Sequence, residues 1–264
     1  MIKKCQINDY EKIIEYIDDS FYKCLYLYLD IKKYGFDNSN IKTYFQMKDE
    51  KIKALILTYY KSMHVFSKDN SIEYNELLDF INEVKPTMIC GEKSIIEKIK
   101  KFEIGKKYSE EYGFVRSIKD IIYNKKMTIE LAKKDDFQYI TQLLMSDRGL
   151  SGSFGYDELH NQLIERFEQG FCRNYIYKSD GKIVGHVCSG AEDDKCVVLT
   201  DLIVDKDYRG RGIGEKICLD FCKLMIDEGK EVFLINYTDQ SGNLYEKVGI
   251  KKRCEWGKLY IEKK

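Results

Sequence analysis

The chain has 264 residues, enough for two modest domains or one large one, and its 44 basic side chains balance 44 acidic ones. That balance leaves no overall positive field to recruit nucleic acid or an anionic membrane, so neither is an expected partner. No run of about 20 apolar residues is present to cross a bilayer as a helix, and the opening Met1-Ile-Lys-Lys-Cys5 lacks the apolar region of a signal peptide, so the cytoplasm is the expected compartment.

From Asn8 to Asp19 the sequence reads as a capped amphipathic helix, followed by a strand over Cys24–Ile31. Three strands come next, over Ile41–Met47, Lys53–Tyr60 and Met63–Phe66, joined by short polar connections that favour hairpins. A helix over Glu73–Val84 stops before Pro86, and a strand over Thr87–Cys90, a helix over Glu92–Phe102 and a strand over Gly113–Ile118 complete the first half. The tyrosines of this half, among them Tyr26, Tyr28, Tyr59 and Tyr60, read as strand residues that pack a sheet with their hydroxyls at its rim.

The second half repeats this order. A strand over Met127–Leu131 leads into helices over Asp136–Met145 and Asp157–Phe167, with the glycine-rich loop Ser146–Gly155 between them. A hairpin signal, Ser179-Asp-Gly181, joins strands over Tyr175–Ser179 and Lys182–Ser189, and an apolar strand over Cys196–Val204 follows. A helix from Gly212 to Gly229 carries an apolar face at Ile213, Ile217, Phe221 and Leu224; after it come a strand over Val232–Asn236, a short helix over Ser241–Ile250 and a final strand over Lys251–Ile261. The fold class is therefore α/β (α+β), a tandem of two units over residues 1–122 and 127–264 with a short polar linker, each a mixed, mostly antiparallel twisted sheet flanked by helices.

Nine cysteines, an odd number without a Cys-x-x-Cys pair, lie mostly on apolar strands and helix faces and read as reduced small hydrophobes. Cys218 and Cys222 are four apart on one helix, but no histidine or second pair accompanies them, and His64, His160 and His186 are scattered. No metal site is expected.

The chemistry concentrates where the apolar strand meets the helix, at Arg209-Gly-Arg-Gly-Ile-Gly214. Three glycines allow a tight turn and let a ligand approach without meeting a Cβ, while orphan N–H groups, the helix dipole, Arg209 and Arg211 attract an anion. The turn fails both the Walker A and the dinucleotide spacing, because Glu215 stands where each needs its last glycine.

The spacing that fits is Arg-x-x-Gly-x-Gly at Arg209, Gly212 and Gly214, and here the chain resembles the GNAT superfamily of acetyl-CoA-dependent N-acetyltransferases. About thirty residues on, Asn243, Tyr245 and Gly249 match the family's Asn-x-Tyr-x-x-x-Gly-Phe, with Ile250 in place of the aromatic. The resemblance spans roughly residue 127 to the end. It implies that acetyl-CoA is the cofactor, that the turn from Arg209 through Gly210, Arg211, Gly212 and Ile213 to Gly214 holds its pyrophosphate, that backbone groups of Leu202, Ile203 and Val204 hold its pantetheine arm and thioester oxygen, and that Asn243 lies beside it. It also implies that Tyr245 donates to the departing sulfur.

The base is open. Histone-modifying members carry a glutamate on the fourth strand, and that place falls near Val198, which takes no proton. Asp201 is the carboxylate inside this strand; it faces the acceptor or is a polar residue at the strand's splayed edge, and water relays need no dedicated base. Glu192, Asp193 and Asp194 offer a further acidic turn, of the kind that is usually solvated. The first unit's matching junction, Ser67-Lys-Asp-Asn-Ser-Ile72, has no glycine and carries Asp69 where an anion would be repelled, so no acetyl-CoA is expected there. Two functions stand: an active acetyltransferase whose partner is a small-molecule or peptide amine, with the first unit completing the pocket or forming a homodimer contact, and an acyl-CoA-binding sensor or scaffold that has lost turnover.

Overall fold

The structure, a computed structural model, describes residues 1–36, 41–102, 108–151, 154–170 and 172–261. The chain forms two compact units that interleave in sequence. One comprises Met1–Val115, Ile235–Tyr237 and the closing segment from Lys252; the other comprises Arg116–Leu234 and Thr238–Lys251.

The chain runs through β1 (Ile2–Lys4), α1 (Tyr10–Ile17), α2 (Leu25–Tyr34), β2 (Ile41–Lys48), β3 (Lys51–Tyr59), β4 (Ser62–Phe66), α3 (Tyr74–Val84), β5 (Met88–Glu92), α4 (Lys93–Lys101) and β6 (Tyr108–Ile118). It continues through β7 (Ile129–Leu131), α5 (Phe137–Met145), α6 (Arg148–Ser151), α7 (Tyr156–Glu168), β8 (Asn174–Ser179), β9 (Lys182–Glu192), β10 (Cys196–Val204), α8 (Ile213–Asp227), β11 (Glu231–Asn236), α9 (Asp239–Val248) and β12 (Lys251–Ile261).

The strand expected over Cys24–Ile31 is instead helix α2. Leu25, Leu27, Leu29 and Ile31 are all buried, and such alternation on a strand would mark one covered face. On a helix the same four residues sort into two stacks four apart, Leu25 with Leu29 and Leu27 with Ile31, so α2 is covered on two sides. Leu27 and Ile31 join Ile13, Ile17, Phe45, Leu55 and Phe66 in one core. Tyr26 and Tyr28 therefore sit on a helix, not in a sheet. The helix at the start of the chain has no side-chain cap from Asn8: Asp9 precedes α1 without capping it, and its carboxylate instead accepts from the Gln6 N–H at 2.8 Å across the turn Ile7–Asp9. With α2 in place, both halves run strand, two helices, three-strand meander, helix, strand, helix, strand, with the single turn α6 as the addition.

The first unit's sheet runs β1-β2-β3-β4-β5-β12 and the second's β7-β8-β9-β10-β11. Each has one parallel pair, β4 with β5 and β10 with β11, because a helix crosses over between those strands, α3 in one and α8 in the other. The two pairs differ at their carboxyl ends. The β4/β5 pairing continues to Val65 and Gly91, where a Cβ on Gly91 would come within 2.6 Å of the Val65 carbonyl oxygen. The β10/β11 pairing stops at Val198 and Phe233, while β10 runs on to Val204. The strand ends stay joined in the first unit and part in the second.

Helix α8 anchors the second unit. Ile217, Cys218, Phe221, Cys222 and Met225 are fully buried against Val197, Leu199, Val232 and Leu234, and burying each large apolar side chain of this kind contributes about 1.5–3 kcal/mol. The same face carries the fully buried Asp220, whose Oδ2 accepts from the Thr128 N–H at 2.7 Å and the Thr128 hydroxyl at 2.6 Å, fixing the start of the second half to the helix. All nine cysteines are free thiols, eight of them buried. Among the described residues no helix is long and apolar enough to cross a membrane.

Candidate functional site

Where β10 and β11 part, the chain turns through Lys206–Tyr208 and the glycine segment into α8. Gly210 and Gly212 have φ of +77° and +76°, a backbone region in which an L side chain costs roughly 1–2 kcal/mol, and a Cβ on either would meet nothing within 4 Å. Their freedom therefore serves the bend and leaves the space above it open. Gly214 has a different reason. A Cβ there would lie 3.3 Å from Leu244 Cδ1 and 3.6 Å from Val204 Cγ2, so this glycine lets α8 pack closely against α9 and β10.

The open space is a cavity of about 530 Å³ lined by Leu202, Ile203 and Val204 of β10, by Arg209, Gly210, Gly212, Ile213 and Gly214 of the turn, and by Asn243 and Tyr245 of α9. The first-turn N–H groups of α8 have no partner within the helix and carry its positive dipole end. Arg209 is held in place by its Nε, which donates to the Val204 carbonyl at 2.9 Å, and its Nη2 lies 3.5 Å from the Asp147 carboxylate. The combination fits a phosphate-bearing chain entering between parted strands: backbone donors, one fixed guanidinium and apolar walls.

Two expected site residues stand apart from this cavity. Arg211 does not line it. Its Nη2 donates to the Asp207 carbonyl at 3.0 Å and its guanidinium carbon sits 5.1 Å from the centre of the Tyr208 ring. Asp201 does not line it either. It is half-buried at φ +54° in an irregular stretch of β10, and burial raises its carboxyl above the ordinary range against the opposing pull of Arg166.

Tyr245 is placed by α9, which the Thr238 side chain caps by accepting from the Ser241 N–H at 3.3 Å and which Gly249 closes at φ +92°. The residue is 9 % exposed, and burial, with the Cys218 and Cys222 thiols nearby, holds its phenol protonated well above its ordinary range. It is thus a proton-bearing group at the wall of a recess lined by both apolar and polar side chains. Sequence reasoning did not find Asp147, Tyr208, Thr238 or Lys247, which also line the cavity. Thr238 had a local signal, a threonine three residues before the serine that it caps; Asp147 comes from a loop whose approach depends on the fold.

The loop expected over Ser146–Gly155 contains the helical turn α6, begun by Asp147, whose Oδ1 accepts from the Gly149 N–H at 2.9 Å. Residues 152 and 153 of that loop lie outside the described residues. In the first unit the matching turn is filled by its own aspartate, since Asp69 Oδ1 accepts from the Ser71 hydroxyl at 2.6 Å and the Ser71 N–H at 3.2 Å. Those bonds hold the Asp69 carboxyl below its ordinary range.

A family model described as "Acetyltransferase (GNAT) family" matches residues 137–250. A glucosamine 6-phosphate N-acetyltransferase of Trypanosoma brucei brucei is 28% identical over 71 residues, 27% of this chain and 40% of that protein, so the match spans about two-fifths of the relative's length. Among solved structures, a GCN5-related N-acetyltransferase from Sphaerobacter thermophilus superposes with a TM-score of 0.65 at 12% identity, over 99% of this chain and 95% of its own. A GNAT-family acetyltransferase from Colwellia psychrerythraea gives 0.61 at 11% identity over the whole of both chains. A tandem GNAT protein from the clavulanic acid biosynthesis pathway gives 0.59 at 9% identity over 99% and 98%. These structural likenesses speak to the fold, and they extend across both halves. Residues 137–250, somewhat under half of the chain, therefore match the acetyltransferase (GNAT) family, and the chain as a whole shares its mixed α/β tandem fold with solved members of that family.

Proposed function

We propose that the protein is an acetyl-CoA-dependent N-acetyltransferase of the cytoplasm, with the unit of Arg116–Leu234 and Thr238–Lys251 as its catalytic part and the other unit, to which the closing strand expected in residues 127–264 belongs, as a degenerate unit of the same kind. The observation that supports this most is one cavity shared by the parted end of β10, the open left-handed turn at Gly210 and Gly212, and Tyr245. In this reading the N–H groups from Gly210 to Gly214 and the Arg209 guanidinium hold the pyrophosphate of the cofactor, Asn243 flanks it, and the backbone of Leu202, Ile203 and Val204 holds the pantetheine arm. Arg211 adds long-range charge from outside the cavity.

Acetyl-CoA supplies an activated acetyl group. The acceptor, an amine of a small molecule or a peptide, attacks directly while both substrates are bound, and the backbone N–H groups of β10 stabilise the negative charge that develops on the carbonyl oxygen. Tyr245, protonated and desolvated, donates to the sulfur that leaves. Asp201 is the strand's own carboxylate, and its raised pKa moves it toward the range of a base that works near neutral pH.

The test is free-thiol release from acetyl-CoA with a panel of amines, chosen to include small amines, amino acids and peptides. Turnover with one class and not the others supports the proposal and names the acceptor. Tight binding of acetyl-CoA with no thiol release across the panel contradicts it.

A further inference from the structure

One fully buried polar group in the second unit serves no purpose in the mechanism above. His186 lies on β9, on the sheet face covered by α5 and α7, opposite Ile176 of β8 and Ile203 of β10. An imidazole on such a face must satisfy both ring nitrogens, because a buried polar atom without a partner is costly. Its Nδ1 lies 3.1 Å from the Asp201 carbonyl oxygen and its Nε2 lies 2.9 Å from Oδ1 of the buried Asn174, whose Nδ2 lies 3.5 Å from the Cys172 sulfur.

The Asp201 carbonyl belongs to a bulge. Thr200 pairs with Cys188 and Ile203 with His186, so two residues of β10, Asp201 and Leu202, oppose Val187 alone. Asp201 takes φ +54° to make this possible, a conformation that persists in a non-glycine residue only where its surroundings over-determine it. The bulge shifts the remainder of β10, and Leu202, Ile203 and Val204 line the cavity immediately after it.

We infer that His186, oriented by Asn174, is a positioning residue: its Nδ1–H donates to the Asp201 carbonyl and so holds the bulge that presents the Leu202–Val204 backbone to the cavity. A carbonyl can only accept, so Nδ1 carries the proton and Nε2 is an acceptor. With both Nδ1 and Nε2 facing oxygens a neutral ring is one donor short, so we exchange the Asn174 amide oxygen and nitrogen: the NH2 faces Nε2 and the oxygen faces the Cys172 thiol. Burial keeps the ring neutral, with a pKa near about 4, as one donor and one acceptor require.

The effect on turnover rests on the acetyltransferase reading; the hydrogen bond itself does not. Two measurements separate them. Long-range proton–nitrogen NMR of the parent protein should show His186 as the neutral tautomer with hydrogen on Nδ1, and hydrogen on Nε2 overturns the inference whatever the activity. In turnover, His186→Asn keeps an N–H close to the Nδ1 position and His186→Phe keeps the volume without a donor. A positioning role predicts that Phe loses about 10²-fold in kcat/KM, the scale of a misplacement of about 1 Å, and that Asn stays within about fivefold of the parent. A packing role predicts the reverse order, Phe better than Asn, and that result overturns the inference. Should His186→Phe not fold, Asn174→Leu frees the ring to change tautomer while leaving the histidine in place. The same NMR experiment should then show mixed tautomers, and an unchanged Nδ1–H population removes Asn174 from the account.

Discussion

Gly212 and Gly214 are two residues apart in one motif, yet the structure gives them different work, and substituting each separates ligand contact from packing. Gly212→Asp places a side chain at φ +76°, at a strain of roughly 1–2 kcal/mol, with open space around the new Cβ. The fold should therefore survive at slightly reduced Tm. The new carboxylate would stand beside the N-terminus of α8, and a charge about 4 Å from a phosphate in a half-exposed site, at an effective dielectric of about 20, opposes binding by about 4 kcal/mol. That corresponds to roughly a thousandfold in Kd. Gly214→Ala instead has an ordinary backbone and a Cβ facing Leu244 Cδ1 at 3.3 Å, the mobile end of a side chain. A gain in helix propensity of up to about 1 kcal/mol opposes that contact, so its Tm should stay near the parent's and its affinity for acetyl-CoA should fall by less than about tenfold. Calorimetric titration with acetyl-CoA beside thermal unfolding reads both. If Gly212→Asp binds as well as the parent, the turn at Gly212 is not the anion site and the placement of the cofactor fails.

Further outcomes follow from the same geometry. Tyr245→Phe should keep acetyl-CoA affinity while kcat falls by about 10²–10⁴, as expected for a lost general acid; unchanged turnover would make the phenol a packing group. Asp220→Ala should cost at least about 3 kcal/mol in denaturant unfolding, because it removes two short hydrogen bonds and empties a buried site, whereas Thr128→Val, which keeps the N–H bond, should cost about half as much. Equal losses would show that Asp220 acts only as volume. His186 has a folded-state pKa depressed from 6.5 to about 4, so the unfolded chain binds the proton more readily and stability falls as pH drops through that window. The loss should be on the order of 3 kcal/mol by pH 4 for this residue and absent in His186→Asn, as unfolding at stepped pH would show.

The parts of this account that were legible in the sequence are local. The Arg209–Gly214 spacing, the apolar face of α8 and the Asn243/Tyr245/Gly249 set each depend on residues near one another in the chain, and the structure brings most of them to one cavity. What the sequence hid is set by pairing between distant segments. The alternation at Leu25, Leu27, Leu29 and Ile31 fits a strand with one covered face and a helix with two, and only the surrounding core decides between them. The three-residue β1 has too little pattern to read, and it gains its definition from β2. The parting of β10 from β11 and the bulge at Asp201 are matters of register, invisible in the run of apolar residues from Cys196 to Val204. Arg211 shows what a motif leaves open: its spacing suggests a cradle charge, and the contacts of its side chain with the Asp207 carbonyl and the Tyr208 ring are set by the local fold.

The central claim is that one of the two repeated units, the one whose strands part over an open glycine turn, holds acetyl-CoA. Isothermal titration of the purified full chain with acetyl-CoA tests it most directly. The account predicts one site per chain, abolished by Gly212→Asp and insensitive to Asp69→Asn in the first unit. Two sites per chain, or a single site that survives Gly212→Asp and responds to Asp69→Asn, would contradict it.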